Sequence, residues 1–239
     1  MCGRFTLALS AEAIAQAFAL PSPPRLEPRF NIAPTQPAPV IVAAGTVPFP
    51  KDVEIPDGEG DRQFTYLYWG LIPSWSKDPT IGARMINARA ETVQEKPSFR
   101  TAFKKRRCLV VADGFYEWKG TGKSKQPYFF YVGNSGEQRH PFAFAGLWEH
   151  WRSPEGDTVN SCTILTTEAN NVLRPVHDRM PVILHPENYD QWLDPDFQKP
   201  EPLQSLLRPY DTDPMGSHAV STIVNSPKND TPQCITPTP

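Results

Sequence analysis

The sequence has few cysteines and few histidines. Its four cysteines, Cys2, Cys108, Cys162 and Cys234, are scattered, and no two stand in C-x-x-C spacing. That spacing excludes a disulfide scaffold and a cysteine-based zinc site. The nearest pair among the five histidines, His177 and His185, is eight apart, too wide for a paired zinc-ligand motif. No metal and no cofactor is expected, and the cysteine usage points to a reduced, cytoplasmic setting. Long apolar runs are lacking too. The longest is five residues, for example Val40–Ala44, far short of the roughly 20 that span a bilayer. The start, Met1-Cys2-Gly3-Arg4-Phe5, does not have the layout of a secretory leader. Nor is there an excess of basic charge. With 24 Lys and Arg against 26 Asp and Glu, the net charge is −2, so any contact with nucleic acid must use a local patch.

Proline is what the sequence has in excess. There are 28 in 239 residues, more than twice the average usage of about 5%. With 39% hydrophobic and 11% aromatic residues, this favours short strands and loops over long helices. A chain of this length makes one large domain or two small ones and buries about 70% of its unfolded surface.

Met1–Leu7 reads as a strand. Ser10 caps a short helix with Glu12 in its first turn and Ile14 and Phe18 on one face, ended by Pro21, Pro23 and Pro24. Asn31–Pro39 reads as a proline-punctuated loop, Val40–Ala43 as a strand, Gly45–Arg62 as a surface excursion and Phe64–Trp69 as a strand. Pro97 opens a helix that ends in Lys104–Arg107. Further strands are expected at Cys108–Ala112, Tyr128–Val132, Phe142–Leu147, Cys162–Thr166, Val182–Leu184 and Ala219–Val224, with short helices at Pro186–Leu193 and Pro202–Leu207. No repeat or linker stands out. The expected fold class is therefore α+β: a single compact domain with a curved, barrel-like, mostly antiparallel sheet and short flanking helices. It should cover residues 1–225, with 226–239 a loose tail.

Several segments could carry chemistry. If Met1 is removed, Cys2 presents a 1,2-aminothiol. Its α-amine, with an ordinary pKa near 8, is about one quarter neutral at pH 7.4. Such an amine attacks an aldehyde to give a Schiff base, and the thiol can then close a five-membered thiazolidine. Position alone leaves a buried, unreactive cysteine as the ordinary alternative. In Asp113-Gly114-Phe115-Tyr116-Glu117-Trp118, a carboxylate at a strand end among aromatics can act as acid or base; an exposed Glu in a turn is the alternative. In Pro175-Val176-His177-Asp178-Arg179-Met180-Pro181, His177 can shuttle protons and Arg179 can hold a phosphate; a salt-bridged structural loop is the alternative. Asn87 can orient a hydroxyl or carbonyl and Arg89 can meet an anion, or the two can simply open a helix. Trp69-Gly70-Leu71-Ile72-Pro73-Ser74-Trp75 offers either a stacking wall or core aromatics.

Taken in order, these segments, with Phe30-Asn31-Ile32-Ala33-Pro34-Thr35 and Phe144–Leu147, resemble the SRAP family of SOS-response-associated peptidases or abasic-site-processing proteins. The resemblance runs from about Cys2 to Val224. It implies a compact α+β unit with a barrel-like core and a groove for single-stranded DNA. It also implies that Cys2 forms a thiazolidine crosslink with the aldehyde of an abasic site, shielding the lesion. By the same resemblance Asn87 contacts the opened sugar. Glu117 assists proton transfers and release of Met1 by self-processing. His177 protonates the sugar ring oxygen. Arg4, Asn31, Pro34, Trp69, Arg89, Trp118, Arg179 and Met180 line the DNA groove. Weak abasic-site lyase activity follows from the Schiff base. The expected partner is abasic single-stranded DNA, bound by a cytoplasmic monomer that joins the nucleoid only through that DNA.

Three other readings compete. Class II glutamine amidotransferases also begin Met-Cys-Gly, but here Arg4-Phe5 follows and the rest of their glutamine-site pattern is missing; ammonia release discriminates. A passive single-strand binder would not need Cys2, nor would a peptidase acting on other proteins leave so little sign of a cleft.

Overall fold

The computed structural model describes residues 2–48, 60–120, 125–134 and 138–238. Met1 and most of the expected 45–62 excursion lie outside them.

Five strands close into a barrel. They are β3 (Pro37–Ala43), β4 (Arg62–Trp69), β6 (Arg107–Ala112), β10 (Phe142–Arg152) and β11 (Thr158–Glu168). The order β11-β4-β3-β6-β10 returns to β11 through the long β10–β11 hairpin. Three short strands, β5 (Asn87–Arg89), β12 (Arg179–Pro181) and β13 (Ile183–Leu184), attach to it. A second sheet runs β14-β8-β7-β1-β2, with β9 beside β8. Its strands are β1 (Phe5–Leu7), β2 (Arg29–Ile32), β7 (Gly114–Lys119), β8 (Gln126–Asn134), β9 (Gln138–Arg139) and β14 (Met215–Ala219). Among the described residues every strand pairing is antiparallel except β11 with β4 and with β5. The expected α+β, barrel-like, mostly antiparallel architecture is what the chain adopts.

The helices are short: α1 (Ala11–Phe18), α2 (Arg100–Lys105), α3 (Tyr189–Leu193) and α4 (Pro200–Ser205). The first forms as its sequence dictates. Ser10 accepts from the Ala13 N–H at 3.2 Å, Ile14 and Phe18 are buried, and Ala19 turns left-handed (φ 50°) just before the prolines.

Aromatic side chains lock the two sheets together. Phe5 meets Trp69 and Phe144 edge-on, at 5.1 and 5.9 Å between ring centres, and Phe115 meets Phe144 at 5.8 Å. All four rings are buried, and each contributes about 1.5–3 kcal/mol of burial. Gly114 sits where β7 passes the ring of Phe129; a Cβ there would lie 2.1 Å from Cζ.

Some expectations change. Asn31–Pro39 is not one loop: it holds the end of β2, a turn and the start of β3. Pro37 and Pro39 are tolerated because β6 pairs only with Val40 and Ile41, leaving the proline half of β3 paired on one side. The last strand comes earlier than expected, at Met215–Ala219, and residues 222–225 form a 3-10 turn. The segment after Ser226 is not loose. It makes a second 3-10 turn at Pro232–Ile235 that buries Cys234. The Asp230 carboxylate accepts from the backbone of Phe30 and Asn31 and pairs with Arg29. Proline and asparagine content suggested a loose tail, but here Asp230 satisfies backbone N–H groups of β2 and the Asn229 side-chain amide donates to the Ile223 carbonyl.

Candidate functional site

Four remote segments meet at the N-terminus. In the β1–β7 register Phe5 faces Phe115 and Thr6 faces Gly114; continuing it places residues 2–3 opposite 117–118. Asp113 anchors this arrangement. Its buried carboxylate accepts from the N–H groups of Ala8 (2.9 Å) and Leu9 (3.1 Å) and from the Thr6 hydroxyl. The end of β11 supplies the other side. It pairs with Asn87–Arg89 along one edge and Arg179–Pro181 along the other, so Asn87 and the turn carrying His177 flank the same strand.

Cys2 is fully buried. Burial, and next the charge of Glu117, push its thiol well above the ordinary range, so the sulfur is held as S–H. Glu117 is 3% exposed. Burial raises its carboxyl above the usual carboxylate range, against the opposing charge of His177 and others nearby. Cys2, Glu117 and His177 thus lie within electrostatic reach in series. Nδ2 of Asn87 donates to the Cys2 carbonyl at 2.8 Å, while its Oδ1 is buried with no hydrogen-bond partner among the described residues. His177 Nδ1 accepts from the Arg179 N–H at 2.9 Å, so the neutral ring carries its proton on Nε2. Asp178 Oδ1 lies 3.0 Å from that same Nδ1.

The residues expected along a DNA groove divide. Arg89 is exposed, and Pro34 and Trp118 are half-buried. Arg4 is half-buried and already engaged. It donates to Asn31 Oδ1 and the Val224 carbonyl, both at 2.8 Å, and to the Asn225 carbonyl at 3.2 Å. Arg179 makes a bidentate pair with Glu91 and donates to the Thr166 carbonyl, which lowers the Glu91 carboxyl below its ordinary range.

Three of these residues are fully buried and offer no face to a strand. Trp69 packs on Phe5, and its Nε1 donates to the Ile86 carbonyl. Asn31 donates to the carbonyls of Val224, Ser226 and Asn229. Met180 accepts from the Asn170 N–H through sulfur. In the same tryptophan-bearing stretch the exposed ring is Trp75, at 60%. Sequence reasoning did not single it out, nor Asn225, which accepts from the Trp118 indole at 2.7 Å.

Among the described residues no group of three or more His, Cys, Asp and Glu could hold a metal ion, and no helix is long and apolar enough to cross a membrane.

The barrel and the second sheet thus bring Cys2, Asn87, Glu117 and His177 towards one place. The sequence model for SOS response associated peptidase (SRAP) matches residues 1–227, and the chain belongs to the SRAP family. It is 45% identical to the Abasic site processing protein YoqW of Bacillus subtilis, over 98% of this chain and 99% of that protein. It is 34% identical to the Abasic site processing protein HMCES of Pongo abelii, over 99% of this chain and 76% of that one. A crystal structure of a Bacteroides thetaiotaomicron protein superposes with a TM-score of 0.80 at 27% identity, covering 99% of this chain and 100% of that one.

Proposed function

We propose that this protein captures abasic sites in single-stranded DNA as a covalent thiazolidine at Cys2, after loss of Met1. The observation that carries the reading is the meeting of Cys2, Asn87, Glu117 and His177 from four distant segments. The relatives' names supply the lesion.

The chemistry follows from those groups. The ring-opened sugar presents an aldehyde. The Cys2 amine adds to it, and loss of one water gives an iminium. The thiol then adds to the iminium carbon and releases a proton, closing the ring. A thiol kept protonated by burial needs a base as it attacks, and Glu117 is the neighbouring carboxylate. The same raised carboxyl suits release of Met1 by self-processing. His177 hands a proton to the sugar ring oxygen during opening. The unpaired Oδ1 of Asn87 accepts from the opened sugar's hydroxyl while Nδ2 holds the Cys2 carbonyl. Weak lyase activity accompanies the iminium, which acidifies the adjacent carbon. Exposed Arg89 and the rings of Trp118 and Trp75 meet phosphates and bases. The reading is of a cytoplasmic monomer that joins the nucleoid through its DNA.

A denaturing gel tests it. Wild type and Cys2→Ala are mixed with labelled abasic single strand, intact single strand and abasic duplex, with no borohydride, and the protein's N-terminus is checked by mass. A heat-stable shifted band with wild type and abasic single strand alone is expected. No band from protein shown to begin at Cys2 overturns the proposal and moves the assay to ammonia release from glutamine.

A further inference from the structure

Asn225 closes a triangle at the rim of the site. It ends the 3-10 turn Thr222–Asn225 and is exposed. Its backbone carbonyl accepts from Nη2 of Arg4, and its side-chain Oδ1 accepts from the indole N–H of Trp118 at 2.7 Å. The third side is the Arg4 guanidinium over the Trp118 ring, 5.9 Å from its centre. Arg4 stands two residues from Cys2, and Trp118 follows Glu117. The C-terminal segment therefore reaches both strands that carry the site.

The two linked residues depend on Asn225 differently. Arg4 is also held by Asn31 and the Val224 carbonyl, and its bond to Asn225 uses the backbone. Trp118 is half-buried, and its indole N–H donates to the Asn225 side chain. A single acceptor fixed by a turn selects one ring orientation, the one facing Arg4. Truncating the side chain removes that selection and leaves Arg4 in place.

We infer that Asn225 is a positioning residue for strand binding: it holds the Trp118 ring in the orientation that receives a base of the single strand. The inference rests on the reading of Trp118 as a strand contact. It predicts an effect on binding and not on bond formation, because the Asn225 side chain acts on the Trp118 ring at the rim and not on the reacting groups of the proposed site.

The test is a double-mutant cycle of Asn225→Ala and Trp118→Phe. Crosslinking is followed against the concentration of abasic oligonucleotide, and binding of an intact single strand is measured in parallel by fluorescence anisotropy. Asn225→Ala should raise the half-saturating concentration and the Kd by about fivefold to tenfold, the low end of the range of one stacked base. The saturating crosslinking rate should stay within about twofold, and Asn225→Ala should add nothing in the Trp118→Phe background. In the free protein the Trp118 indole N–H resonance, assigned by its loss in Trp118→Phe, should shift and exchange faster in Asn225→Ala. Additive effects, a changed saturating rate at unchanged half-saturation, or an unmoved resonance overturns the inference. The anisotropy and the resonance do not need the covalent step. A wild type that binds but never crosslinks therefore sinks the proposed function without deciding this one.

Discussion

The side-chain amide of Asn87 donates to the backbone carbonyl of Cys2 at 2.8 Å while its own oxygen is buried and unpaired among the described residues. A buried acceptor without a donor costs free energy, so the pair is better suited to a bound molecule than to the empty fold. Asn87→Ala removes both ends. Asn87→Asp keeps an oxygen but puts a carboxylate against the Cys2 carbonyl. Both should slow crosslinking roughly tenfold or more, about 1.4 kcal/mol of barrier, with Asp at least as slow as Ala. Single-turnover gels measure this. A rate equal to wild type in Asn87→Ala would remove Asn87 from the chemistry.

Glu117 trades stability for reactivity. Its carboxyl is raised by burial above the ordinary 4.5, so the folded state binds its proton more tightly than the unfolded chain does. The stability this gives is complete below pH 4.5 and is lost as pH rises through the raised native value. Above that value the buried ionised group is a cost to the folded state. Glu117→Gln should therefore raise the Tm at pH 7.5 by roughly 2–4 °C, the shift of about 1 kcal/mol in a chain of this size. The gain should shrink towards pH 4, and crosslinking should slow. Thermal melts across pH check it; a mutant less stable than wild type at pH 7.5 contradicts the burial argument.

Much of this was legible in the sequence, for definite reasons. The Ser10 cap and the prolines after Ala19 bound α1, and alternating apolar runs located most strands. Cys2, Asn87, Glu117 and His177 could be singled out as candidates by residue type alone. What could not be read was which side of a strand each side chain faces once two sheets close. Trp69 and Met180 lie on inward faces, and Asn31 is polar yet buried because the C-terminal segment offers carbonyls to its amide. Nothing in the composition of residues 226–239 announces that Asp230 caps β2.

Asp113 holds the strand that leads to Cys2. It is fully buried, accepts from Ala8, Leu9 and Thr6, and lies 3.6 Å from Arg139. Asp113→Ala strands two backbone N–H groups, a hydroxyl and a guanidinium. A loss of about 3–5 kcal/mol is expected, the cost of breaking a buried pair. Urea unfolding at constant m reads it as a lower midpoint. A midpoint within error of wild type would mean that β1 is held without this carboxylate.

The two arginines beside β11 should answer differently to salt. Arg89 is exposed two residues from Asn87, whereas Arg179 is spent on Glu91 and the Thr166 carbonyl. Each phosphate neutralised on a single strand releases counterions and contributes about −0.7 to the slope of log K against log salt. Arg89→Ala should flatten the slope by about that amount and weaken binding uniformly across sequences. Arg179→Ala should leave the slope nearly unchanged, because its guanidinium already has a carboxylate, and should lower the Tm through the stranded Glu91 pair. Anisotropy titrations of an intact single strand between 50 and 300 mM salt, at about four concentrations, separate the two. A flattened slope in Arg179→Ala with none in Arg89→Ala would show that the Glu91 pair opens on binding and that Arg179, not Arg89, carries the phosphate.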